Sequence, residues 1–169
     1  MPKPFLIIQL RPEDEDDFSG SIVGGSPFDV STPEQSKSAI QKTIEAGFRV
    51  LLSDVERRDF PFLGCCSGNG LLGTHCGATI SRRFGEPVGP AQVSVTKAGA
   101  RDPLLAGLPE QFTVLLGHKE ACDATPPCAQ LLVTGEHCPV QMFRVKDNIY
   151  ATQFHPEADA QGYSLRVQL

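Results

Sequence analysis

Cys66 lies in Pro61-Phe62-Leu63-Gly64-Cys65-Cys66-Ser67-Gly68-Asn69-Gly70: an apolar stub, a glycine, a thiol, and glycine again before an apolar run. That pattern reads as a strand-to-helix elbow. Such a turn lifts a nucleophile above the edge of a sheet, where nearby backbone N–H groups face the oxyanion of an acyl intermediate. Near the other end of the chain stands His155-Pro156-Glu157. A distant histidine can take the thiol proton, and a carboxylate two residues later can orient its imidazole. A cysteine after a buried strand is by itself usually a small core residue, so the weight rests on the combination.

An elbow needs a buried strand before it and a helix after it, so the elements around it matter. Residues 4–10 read as a first strand and Ser21-Ile22-Val23 as a second. The second leads into Gly24-Gly25-Ser26-Pro27, where two glycines allow unusual backbone geometry and close approach to a bound ligand. Ser31-Thr32-Pro33-Glu34-Gln35 has the form of a helix start, with a hydroxyl cap and proline at the first helical position. Ile40, Ile44, Phe48, Leu51 and Val55 then recur at helical spacing, and the phase carries through Gly47. One glycine inside a helix costs only about 1 kcal/mol, so the spacing predicts a single helix over about 33–58.

The elbow strand follows at 61–65, then a helix at about 68–76 closed by Gly77, and a strand near 79–83. Residues 91–97, 112–116, 130–133, 140–145 and 149–154 read as strands, the last two joined at Lys146-Asp147-Asn148 as a hairpin. A short helical turn is expected at 102–109. Buried strands mixed with helices, then a late antiparallel section, predict an α/β three-layer sandwich with a mostly parallel central sheet. The length of 169 residues fits one domain over 1–169.

Composition narrows the partners. Hydrophobic residues at 40% and charged residues at 21% fit an ordinary globular protein. A net charge of −5, with no basic cluster longer than Arg82-Arg83, argues against a nucleic-acid partner. The acidic run Glu13–Asp17 reads as a solvated loop. The N-terminal apolar run is too short for a signal peptide or a membrane span, and no other stretch could cross a bilayer, so a cytoplasmic location is expected. The six cysteines (65, 66, 76, 122, 128 and 138) show no CxxC spacing, and cytosolic thiols stay mostly reduced. Neither a zinc site nor any other metal or organic cofactor is indicated, and His75 and His137 read as structural or exposed.

Taken in order, Gly24-Gly25-Ser26-Pro27, Gly64-Cys65-Cys66-Ser67-Gly68 and His155-Pro156-Glu157 resemble the class I (triad) glutamine amidotransferase domain, with its flavodoxin-like fold. Members similar to the glutaminase domain of GMP synthetase offer the best comparison. Arg101–Pro109 and Cys138–Arg144 strengthen the likeness, which covers nearly the whole chain. The resemblance implies Cys66 as nucleophile, His155 as general base and Glu157 as the carboxylate orienting it. The backbone N–H groups of Ser67 and Gly25 would form the oxyanion hole. Gly24, Asn69, Gly70 and His118 fall in segments that line the family's glutamine pocket. The implied reaction is hydrolysis of the glutamine side-chain amide through a γ-glutamyl thioester, with ammonia passed to a separate synthetase or acceptor subunit.

Two departures stand out. The family commonly carries glutamine four residues after the nucleophile, where this chain has Gly70. A γ-glutamyl hydrolase using the same three residues therefore remains an alternative, as does a non-catalytic binding module on the same scaffold. The stretch between Leu10 and Ile22 is also short for the family, and the chain stops twelve residues after Glu157. An α/β sheet lacking a covering helix exposes apolar surface, which leads us to expect segments missing near 11–20 and after 169.

Overall fold

The computed structural model describes residues 18–156. The expected strand at 4–10, the acidic run at 13–17 and Glu157 lie outside the described residues. β1 (Ser21–Val23) leads through the Gly24-Gly25 loop to α1 (Ala39–Arg58), which returns the chain to β2 (Phe62–Cys65), the elbow and α2 (Ser67–His75). There follow β3 (Ile80–Ser81), β4 (Glu86–Val95), β5 (Gln111–His118), β6 (Ala121–Cys122), β7 (Ala129–Gly135), β8 (Met142–Val145) and β9 (Ile149–Thr152). Seven strands form one sheet in the order β1-β2-β9-β8-β7-β4-β5, and β3 pairs with β6 in a small second sheet.

The α/β class agrees with the sequence reading, and the sheet is mixed. β1–β2 and β2–β9 are parallel, whereas the pairings β9–β8, β8–β7, β7–β4 and β4–β5 are antiparallel. The antiparallel part thus extends well beyond the single late hairpin expected. Chain length between strands accounts for two of these pairings: parallel neighbours need a crossover of a dozen residues or more, and the β7–β8 and β8–β9 connections are far too short for one.

Helix α1 starts at Ala39 rather than 33, a correction to the expected boundary. Pro33 does open a helical turn, but it is a single 3-10 turn over Glu34–Ser36, after which Lys37 is extended at φ −69°, ψ 136°. Ser38 is the cap, its hydroxyl accepting from the Gln41 N–H at 3.1 Å. From there the helix runs unbroken through Gly47, burying Leu51, Leu52 and Val55. Ile40, counted in the apolar stripe, is exposed. At the far end Asp59 closes the helix in the left-handed conformation (φ 52°). Its carboxylate accepts from the Asn148 backbone N–H at 3.2 Å and from Asn148 Nδ2 at 3.0 Å, fastening α1 to the β8–β9 turn.

The core divides across the sheet because successive strand residues face opposite sides. Phe143, Val145, Ile149 and Ala151 pack with Phe62, Leu51, Leu52, Val55 and Leu72, so α1 and α2 belong to one face. Leu132, Val133, Met142 and Val93 pack with Val114, Leu116, Leu105 and Phe154. That second face is met by two 3-10 turns, Gly99–Arg101 and Pro103–Leu105, the latter within the helical turn expected at 102–109.

The early part of β4 and all of β6 escape a pattern-based reading. Pro87, Gly89 and Pro90 argue against a strand, and a register shift between Glu86 and Gly89 is what accommodates them. No helix among the described residues is long and apolar enough to cross a membrane.

Gly47 offers a direct check of the helix assignment. It is exposed, and an added Cβ would meet nothing within 4 Å. Gly47→Ala should therefore stabilise the fold by about 1 kcal/mol in a denaturant titration. An unchanged or lower midpoint would mean that α1 is broken at this residue.

Candidate active site at the ends of the parallel strands

Three loops meet at one edge of the sheet because β1, β2 and β9 are parallel neighbours. Val23 stands opposite Gly64 and Cys65 opposite Thr152. The Gly24-Gly25 loop, Cys66 and His155 thus each leave the carboxyl end of a strand whose neighbour is about 4.8 Å away. In open α/β sheets that edge, where strand order reverses, is where ligands bind.

Cys66 is the elbow itself, at φ 56°, ψ −101°. A non-glycine residue there carries roughly 1–3 kcal/mol of backbone strain, which persists only where the surroundings over-determine it. Two backbone bonds do so here. The Cys66 N–H donates to the Thr152 carbonyl at 2.8 Å, and the Cys66 carbonyl accepts from the Gly70 N–H at 3.2 Å in the first turn of α2. Tight packing does the rest. A Cβ on Gly64 would sit 2.6 Å from the Gly68 oxygen, and one on Gly68 would sit 2.6 Å from the Val23 oxygen. The two glycines flanking the thiol let α2 lie against β1 and β2.

Ser67 ties two of the loops together. Its hydroxyl accepts from the Ser26 N–H at 2.8 Å and donates to the Ser26 carbonyl at 3.3 Å. The glycine loop is thereby held beside the residue after Cys66, with Gly25 exposed and Gly24 half-buried. His155 is buried, and its backbone N–H donates to the Leu115 carbonyl at 3.1 Å, which anchors the segment after β9 to β5.

The other expected pocket residues take different positions. Asn69 is fully buried, its Oδ1 accepting from the Cys122 thiol at 3.4 Å. Gly70 is buried as well, and an added Cβ would lie 3.4 Å from Val30. Val30 is held there by Glu120, whose carboxylate accepts from the Val30 N–H at 2.5 Å and the Ser31 N–H at 2.9 Å. His118 is buried in a hydrogen-bonded group with Glu86 and the Glu120 carbonyl. Glu120 is the residue that sequence reasoning missed. Its partners are about 90 residues away, so no local signal marks it.

The thiols differ sharply in character. Burial pushes Cys122 and Cys138 up to about 12. Cys76 is raised too, by burial first and then by hydrogen bonding with Cys128. A thiol held protonated at neutral pH is a poor nucleophile. Cys65 is fully buried, and Cys66 is half-buried at the amino end of α2, where the helix dipole favours an anion.

Comparison with known proteins agrees with this geometry. The model of the family "Glutamine amidotransferase class-I" matches residues 3–165. A glutamine-hydrolyzing GMP synthase subunit of Methanococcus maripaludis is 30% identical over 106 residues, covering 62% of this chain and 54% of the relative. Its namesake from Thermoplasma acidophilum is 32% identical over 110 residues, covering 64% and 54%. The chain thus spans about half the length of these curated relatives. Among solved structures, a glutamine amidotransferase from Thermotoga maritima superposes with a TM-score of 0.76 at 22% identity, covering 90% of this chain and 62% of that one. A glutamine amidotransferase from Methylobacillus flagellatus gives 0.72 at 20% identity, covering 90% and 57%. With a family model that spans nearly its whole length and the three motif loops gathered at one sheet edge, the chain belongs to the class I glutamine amidotransferase family.

Proposed function

We propose that the protein hydrolyses the side-chain amide of glutamine through a thioester on Cys66 and supplies ammonia to a separate synthetase subunit. The observation that carries this reading is the strained Cys66 elbow beside β9, the strand that leads to His155. His155 takes the thiol proton, and the thiolate attacks the amide carbon. The tetrahedral oxyanion is met by the backbone N–H groups of Ser67 and Gly25, which the Ser26–Ser67 hydrogen bonds hold in register. His155 returns the proton to the departing ammonia, and water then cleaves the γ-glutamyl thioester by the same route in reverse. Glu157 orients the imidazole.

Gly24 is assigned to the substrate side of this site, and Asn69, buried in α2, to its support from the core side. The relatives are named as one subunit of a GMP synthase, which supports a partner that consumes the ammonia.

One observation favours a second reading. Val30 packs against Gly70, at the position where the family commonly carries glutamine. With no glutamine side chain available at that position, γ-glutamyl hydrolysis by the same residues is the alternative. Product analysis separates the two, since one releases ammonia and the other an amine.

A diazoketone analogue of glutamine tests the site directly. Peptide mapping should find one adduct on Cys66, and Cys66→Ala should take no label and lose turnover by at least about 1,000-fold with its melting temperature retained. Label spread over several cysteines would overturn the assignment. Ser67→Ala should lower kcat by roughly tenfold, with KM little changed, because the hydroxyl positions an oxyanion donor rather than the substrate. Gly68→Ala forces a Cβ onto the Val23 carbonyl and should cost about 1–3 kcal/mol of stability together with activity. Wild-type stability in that variant would mean that the close approach of α2 to β1 is absent in solution.

A further inference from the structure

Outside the elbow, Glu86, His118 and Cys138 bring a carboxylate, an imidazole and a thiol together inside the protein. Their ligand-type atoms all lie within 4.8 Å of one another, and all three residues are buried. Glu86 opens β4 and His118 closes β5, where the antiparallel register sets them opposite each other. Cys138 comes from the turn between β7 and β8.

The hydrogen bonds around His118 restrict its tautomer. Nδ1 lies 3.0 Å from the backbone carbonyl of Glu120, which can only accept, so Nδ1 carries the proton. In the neutral ring Nε2 then presents a lone pair, and it faces Oε2 of Glu86 at 2.9 Å. That oxygen already accepts from Gln141 Nε2 at 2.7 Å. That approach is favourable when a cation, either a bound metal or a proton on Nε2, stands between the two. An imidazole that donates one ring N–H to a backbone carbonyl and turns the other nitrogen inward is also how metal-binding histidines are oriented. Gln141 adds an independent sign. It is fully buried at the edge of the cluster, and its Oε1 has no hydrogen-bond partner among the described residues.

We propose that Glu86, His118 and Cys138 bind a single Zn²⁺ ion, with Gln141 at the rim of the site. Mixed nitrogen, oxygen and sulfur donors suit zinc, whereas magnesium and calcium want oxygen. On binding, the Cys138 proton leaves to solvent, and one carboxylate plus one thiolate balance the dication. No uncompensated charge is then buried, which is the condition for ions in a protein interior. Zinc bonds of about 2.0–2.3 Å set tetrahedral donors roughly 3.3–3.8 Å apart, so the cluster closes by about 1 Å around the ion. Glu86 also lines a surface cavity of about 460 Å³ together with Glu136 and His137, which gives the ion a way in. The site joins β4, β5 and the turn before β8 and uses no residue of the Cys66 elbow.

The test loads chelator-treated protein with Zn²⁺ or Co²⁺. Native mass spectrometry should find one metal ion per chain, and the cobalt form should show a thiolate-to-metal charge-transfer band. Cys138→Ser should abolish the band and weaken binding at least about 100-fold, whereas Cys66→Ser should keep both. Zinc should raise the melting temperature of the wild type and leave that of Cys138→Ser unmoved. Should Cys138→Ser fold poorly, His118→Gln supplies the second readout, with binding weakened to the same extent. No bound metal at one equivalent, or a band that survives Cys138→Ser and vanishes in Cys66→Ser, would overturn the proposal.

Discussion

The parallel pairing of β2 with β9 is the constraint on which the rest of the structure depends. It carries one bond past the end of the ladder, from the Cys66 N–H to the Thr152 carbonyl. That bond lets Cys66 hold a backbone conformation that a free chain would leave at once. It also fixes how far along the edge His155 emerges, because Cys65 and Thr152 stand in register. Strain at the elbow is offset by what lies behind it. Helix α2 packs closely enough that Gly64 and Gly68 have no room for side chains, and Leu72 is buried in the same core cluster as α1.

A second constraint is burial, which sorts six chemically equal thiols into different roles. Cys122 and Cys138 are pushed up to about 12 by their surroundings, so each behaves as a small core residue or a ligand in waiting. Cys66 is only half-buried, because the elbow places it at the sheet edge. The same principle explains why Asn69 and Gly70 are buried although they adjoin the nucleophile. A helix that starts at the edge rotates its next residues into the core within one turn.

The antiparallel half supports this edge. The His155 backbone hangs from Leu115 of β5, and the Gln153 N–H donates to the Gln141 carbonyl at 2.8 Å. Gln141 in turn holds Glu86, which holds His118. The segment that carries the candidate base is therefore suspended between the parallel strands and a buried polar group. Such groups fix one arrangement because a broken member leaves its partners unsatisfied.

The motif residues were legible because their chemistry is local. A thiol between glycines, a Gly-Gly turn after a short strand, and a histidine before proline are each set by a few adjacent residues, and so is the helical stripe through Gly47. The start of α1 was misread by several residues, since Ser31-Thr32-Pro33 and Ser38 both offer caps and only packing of the following turns selects between them. The extent of the antiparallel sheet was hidden, because Pro87, Gly89 and Pro90 disguise the first half of β4. Nothing in the sequence joins Glu120 to Val30, or Cys138 to His118 and Glu86. Adjacent residues suffice to mark which groups could do chemistry and where the chain must turn. Which of them meet is set by the folded chain, because contacts across some 30 to 90 residues depend on strand register and burial rather than on neighbours in the chain.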